Sequence, residues 1–224
     1  MALSAAWAIL AKDVRVELRR VESLATMMGF AALVALLFVF AGDPTPPDLA
    51  RLGPGALWVS LLFAGALGFT RWFAEEERHG ALVGLLAAPL DREIIFLAKW
   101  AAALVFLSLL EMVIVPATLV VYGLDIHGAW GPLTLLLFVV TTGYAALGTF
   151  FAAVAARTTA GELLLPVLLF PLSVPLLLAG AEGTQALFAG GVTGAYWDWL
   201  GLAVACDVIF GVVCTLGFGA AVEA

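Results

Sequence analysis

Charge is what this sequence has least of. Of its 224 residues only 12% are Asp, Glu, Lys or Arg, and 64% are hydrophobic. A soluble domain carries about 25% charged and about 45–50% apolar residues, so the composition excludes both a water-soluble globule and a disordered chain. Lysine is scarce (Lys12 and Lys99), and 10 basic residues face 17 acidic ones, which excludes a basic nucleic-acid-binding module. There is no asparagine and one glutamine, Gln185. Loss of heat-labile amides is a trait of heat-adapted proteins, whereas loss of lysine is not. Cys206 and Cys214 form no C-x-x-C pair, so a disulfide scaffold is excluded and the redox compartment is left open. No G-x-x-x-x-G-K-[ST] is present, so the chain has no P-loop of its own. H-E-x-x-H, G-x-S-x-G and a Cys/His ligand cluster are missing as well. No catalytic residue and no metal site is therefore expected, and the chain reads as a non-enzyme.

What is present is apolar length. Six runs stand out, at about Leu24–Gly42, Pro54–Thr70, Trp100–Leu124, Pro132–Ala156, Glu162–Ala181 and Trp197–Val222. A membrane span needs roughly 20 mostly apolar residues. In lipid every backbone polar group must be paired, and these runs are too long and unalternating for barrel strands, so they are expected to be helices. The expected fold is all-α and polytopic, with six transmembrane helices in one domain over residues 1–224. Lys12, Arg15, Arg19, Arg20, Arg71, Arg78, Arg92, Lys99 and Arg157 fall on one side of these spans and Arg51 on the other. Basic residues mark the cytoplasmic side, which puts both termini there. Within residues 1–23, Leu3, Trp7, Leu10, Val14, Leu18 and Val21 recur every three or four positions, with Lys12, Asp13, Arg19 and Arg20 on the other face. This pattern predicts an amphipathic helix lying on the inner membrane surface and touching lipid; a plain extension of the first span is the alternative.

The stretch after the second span, residues 71–93, is the most informative. Charged residues Glu75, Glu76, Glu77 and Arg78 lead to Gly80, then to a short apolar turn with Leu82, Leu85 and Leu86, and then to Pro89. Gly80 suits a helix break and Pro89 the stop of a short second helix. An apolar turn flanked by charges in a cytoplasmic loop predicts a docking knob for a soluble partner. Glu77-Arg78, Gly80, Leu82, Leu85, Pro89 and Leu90, with Lys99 at the head of the third span, resemble the coupling loop of type-2 ABC exporter permeases.

More narrowly, Pro54-Gly55-Ala56-Leu57-Trp58-Val59 and Gly123-Leu124-Asp125-Ile126 resemble the heme exporter protein B family (CcmB), the permease of cytochrome c maturation. So do Leu163-Leu164-Leu165-Pro166 and Phe170-Pro171-Leu172-Ser173-Val174-Pro175-Leu176-Leu177. The similarity extends over essentially the whole chain. It implies a bacterial inner-membrane subunit for heme export or delivery to a periplasmic heme chaperone. It further implies a homodimer, an ATPase subunit (CcmA) docked on Glu76, Glu77, Arg78, Gly80, Leu82, Leu85, Leu86 and Pro89, and the partners CcmC and CcmD. Heme would be a transported substrate, with no cofactor held permanently. Val83 departs from the family, where many relatives carry Glu, so that contact would be absent or rearranged. A permease for another cargo, and a subunit that transports nothing but transmits ATPase motion, are the alternative readings.

Glu111 and Asp207 fall near mid-membrane with no Lys or Arg at their depth. Such carboxylates face a bundle interior or a wet cavity. They suit the lining of a substrate path, with Pro171 and Pro175 beside it, or hydrogen bonding between helices to hydroxyls such as Thr118 and Thr215. Pro166, Pro171 and Pro175 in one span predict a kink or break. His79, His127, Met27, Met28, Met112, Cys206 and Cys214 could each ligate heme iron, although packing explains each more simply. Tyr196-Trp197-Asp198-Trp199 is similar to part of a tryptophan-rich heme-handling motif of the CcmC family, but the longer pattern is missing, and an aromatic belt explains it.

Overall fold

A computed structural model describes residues 2–18, 21–40, 46–78, 84, 90–126, 128–156, 158 and 161–223. Among the described residues the regular elements are helices: α1 (Ala2–Leu18), α2 (Val21–Phe40), α3 (Pro46–Arg78), α4 (Arg92–Tyr122), α5 (Trp130–Ala155), α6 (Gly161–Gly190) and α7 (Gly194–Glu223). Helices α2 to α7 correspond one to one with the six apolar runs. In α3 to α7 the segments Leu49–Trp72, Arg92–Tyr122, Trp130–Ala155, Leu163–Gly190 and Gly194–Val222 are long and apolar enough to cross a membrane. In α2 the apolar part, Leu24–Phe40, is shorter. At 1.5 Å per residue it covers about 26 Å, near the lower limit for a span.

The helices outrun the hydrophobic stretches. α3 starts at Pro46 and reaches Arg78, α4 starts at Arg92, and α6 continues to Gly190. Hydropathy marks where lipid lies, whereas a helix continues until its hydrogen-bond ladder is interrupted. In α4 the interruption is Gly123, at φ 63°. There the Leu124 N–H turns back to donate to the Leu119 carbonyl at 2.9 Å, a left-handed cap that a residue with a Cβ rarely adopts.

α3 and α5 form the middle of the bundle. α5 packs on α4, α6 and α7, while α3 packs on α2, α4 and α6. Association in lipid lacks a hydrophobic drive between helices, so close packing and polar bonds carry it. Several bonds join neighbours by donating to main-chain carbonyls. Tyr144 Oη donates to Leu62 at 2.6 Å, Tyr122 Oη to Ala35 at 2.6 Å, Trp100 Nε1 to Thr142 at 2.9 Å, and Tyr196 Oη to Pro132 at 2.9 Å. α3 and α6 meet where Gly180 leaves room for Trp58: a Cβ there would lie 2.5 Å from the indole Cε2.

Two expectations change. The break expected in α6 is not there, since one helix spans Pro166, Pro171 and Pro175. Each proline removes a backbone bond, yet its fixed φ is compatible with a helix, and packed neighbours tolerate the freed carbonyls. In α1 Trp7, on the expected apolar stripe, is 68% exposed, as a lipid-facing residue would be, and Leu10 and Val14 pack against the core; Asp13, expected on the polar face, is instead buried with Ile9 against α4. Asp13 faces inward because Lys99 on α4 offers it a counter-charge. The side chains of Leu3, Leu18 and Val21 lie outside the described residues.

Candidate functional site

The first feature is a groove. α2 and α6 pack on α3 rather than on each other. Between them α3 shows a half-buried stripe of Gly55, Val59, Phe63 and Leu67, spaced one turn apart. The Phe63 ring lies 5.7 Å from that of Phe30 on α2 and 5.1 Å from that of Phe170 on α6. The outer faces of the two walls are apolar, with Leu33, Leu36, Leu37 and Phe40 exposed on α2 and Leu163, Val167, Val174 and Leu178 exposed on α6.

The second feature is polar and lies at mid-depth. Glu111 on α4 is buried and accepts a hydrogen bond from the Thr141 hydroxyl on α5. A cavity of about 20 Å³ adjoins it, lined among others by Trp58, Tyr144, Ser173 and Leu176. That is room for about one water molecule. Asp207 on α7 approaches the opposite side of α5, where a methyl group at Gly143 would strike its Oδ1. This oxygen has no hydrogen-bond partner among the described residues. Thr141 and Gly143 are separated by about 200° around the helix, so the two carboxylates flank α5 and do not meet. The hydroxyls expected as partners are used elsewhere: Thr118 donates to Ile114 at 2.8 Å and Thr215 to Gly211 at 2.6 Å, both within their own helices. Pro171 is exposed and Pro175 half-buried, on the face of α6 away from Ser173 and Leu176, so neither lines the cavity beside Glu111.

The third feature lies where α3 leads into the 79–91 stretch and α4 leaves it. Lys99, fully buried, lies 3.6 Å from Asp13 Oδ2 of α1 and 5.6 Å from the centre of the Trp72 ring of α3. Sequence reading placed Asp13 on a solvated face and Lys99 at a helix head, and did not connect them. The available signal was that Asp13 follows the apolar Ile9 by one turn. Glu76, Glu77 and Arg78 lie in the last turns of α3, with their side chains outside the described residues. Gly80, Leu82, Leu85, Leu86 and Pro89 lie outside the described residues too, as does Val83.

The other candidates are scattered. Met27 is fully buried beside Gly68, Cys206 and Cys214 are buried free thiols, and Met112 is 73% exposed. His79 and His127 lie outside the described residues. Tyr196 is buried and holds Pro132, while Trp197 and Trp130 are each 55% exposed.

A bundle of apolar helices, with charges gathered at its ends and two carboxylates inside, defines a polytopic integral membrane protein. The family described as CcmB protein matches residues 4–224, and the chain belongs to it. It is 34% identical over 176 residues to heme exporter protein B of Rhodobacter capsulatus, covering 78% of this chain and 80% of the relative. Its identity to heme exporter protein B of Paracoccus denitrificans is 34% over 190 residues, covering 82% and 84%. With heme exporter protein B of Pseudomonas aeruginosa it is 31% over 193 residues, covering 86% of each.

Proposed function

We propose that this chain is the permease subunit of an ABC-type heme exporter that serves cytochrome c maturation. The observation that carries this reading is membership of the CcmB family along 4–224, in a bundle long and apolar enough to lie in a membrane. The chain sits in the bacterial inner membrane, multi-pass, with both termini cytoplasmic, because nine of its ten basic residues fall on that side. A separate ATPase subunit, the CcmA of the complex, docks on the loop that contains Leu82, Leu85 and Leu86. CcmC and CcmD complete the assembly. Two copies of the chain pair through α2 and α6, whose exposed apolar faces flank the Phe30–Phe63–Phe170 seam.

Heme is a substrate in this reading and is not held permanently. The cavity beside Glu111, about 20 Å³, admits a water molecule and not a porphyrin. In this reading heme passes along the groove between copies and not through the cavity beside Glu111. The same observation favours a second reading, in which the subunit passes ATPase motion to its partners and releases a heme-loaded chaperone without conducting heme.

Replacing Leu82 and Leu85 with Asp is the direct test of docking. The ATPase subunit is expected to be lost from the purified complex while the membrane fold persists. Full co-purification with the altered chain would remove the docking assignment.

A further inference from the structure

Lys99 has no exposed surface, and Asp13 is 3% exposed. Their ion pair at 3.6 Å is extended on one side by Lys12, whose Nζ lies 2.8 Å from Asp13 Oδ1, and on the other by the Trp72 ring beside Lys99. A buried charge is tolerated only when paired. A buried pair, however, adds little stability that apolar residues of similar volume would not also supply. Its distinctive property is that separating the partners breaks a charge pair inside the packed α1–α4 interface, where water does not replace it, so the elements that carry them move together.

Those elements stand in a mechanical series. Trp72 lies near the loop end of α3, and Lys99 lies two turns into α4, so the cation bridges both stems of the 79–91 stretch. Asp13 ties the same cation to α1, which packs on α4. α2 begins at Val21, directly after α1, and forms one wall of the groove.

We propose that Asp13 and Lys99 are positioning residues that lock α1 to α4, so that displacement of the loop is carried through α1 into α2 and shifts the groove wall. This rests on the ATPase docking proposed above. Without the lock, the loop moves and the stems absorb the motion.

The test uses the whole complex carrying Asp13→Leu with Lys99→Met. Assembly, ATP hydrolysis and unfolding temperature are expected to match the unaltered complex. The yield of heme-bearing cytochrome c in cells is expected to fall about ten-fold, a loss in the range that residues along a coupling route produce. Asp13→Asn, which keeps side-chain volume and removes the charge, is the second variant and is expected to show a loss in the same direction. An undiminished yield in either variant, with the ATPase still bound, overturns the lock and leaves docking intact. Absence of the ATPase from the complex of the unaltered chain overturns docking, and the lock with it.

Discussion

The Thr141–Glu111 bond offers a measurable answer to what a carboxylate does inside this bundle. Thr141→Val preserves shape and removes the donor, leaving a buried Glu111 oxygen without the partner it has now. An unsatisfied buried polar group costs about 1–3 kcal/mol. The adjoining space of about 20 Å³ admits one water that recovers part of the loss, so the expected penalty is about 1–2 kcal/mol. For a chain of this size each kcal/mol shifts Tm by about 2–4 °C, so unfolding in detergent should begin about 2–8 °C lower. Combining Thr141→Val with Glu111→Leu removes both polar partners and should return Tm close to that of the unaltered protein. The double-mutant cycle should therefore yield an interaction of about 1–2 kcal/mol. Because the space is water-sized, the double variant is also expected to retain cytochrome c maturation. An unchanged Tm in Thr141→Val, or strictly additive effects in the pair, would refute the bond as a structural element. Loss of maturation at full stability would assign Glu111 to the heme route.

Two further substitutions test the packing that holds the groove. Gly180→Ala places a methyl 2.5 Å from Trp58 Cε2 and strains the Trp58–Thr184 bond of 3.0 Å. Overpacking of this kind should destabilise by about 1–3 kcal/mol, read as a lower Tm in detergent. Tyr144→Phe removes the donor to the Leu62 carbonyl and should cost about 1 kcal/mol. Because that bond joins α3 to α5, cysteine cross-linking across the two helices should also become less efficient.

Much of the architecture was legible because lipid imposes a strong length rule. The run expected at Pro132–Ala156 is the helix Trp130–Ala155, and that expected at Trp197–Val222 is Gly194–Glu223. The rule was silent wherever a helix continues into charged sequence, as at Arg92–Lys99 or beyond Thr70, because polarity does not end a helix. It was silent also on rotation. By its charge Asp13 belongs to the polar face of α1, but it turns inward because it meets Lys99 on α4. Depth was readable for Glu111, since its place in the run fixes it. Its partner was not, since Thr118 and Thr215 bond to their own helices while Thr141 presents its hydroxyl from α5. Pairings across helices depend on how each helix turns about its axis, and apolar runs with no clear polar face leave that angle unspecified.

The lock between α1 and α4 has a consequence for how the chain is made. Asp13 is synthesised early, but Lys99 follows roughly 86 residues later. At ~5–20 residues per second that is a wait on the order of 4–17 s. Until then the aspartate has to stay hydrated, so the first helix stays near water while α2 and α3 are already being inserted. Its docking therefore reports that α4 has arrived in the membrane.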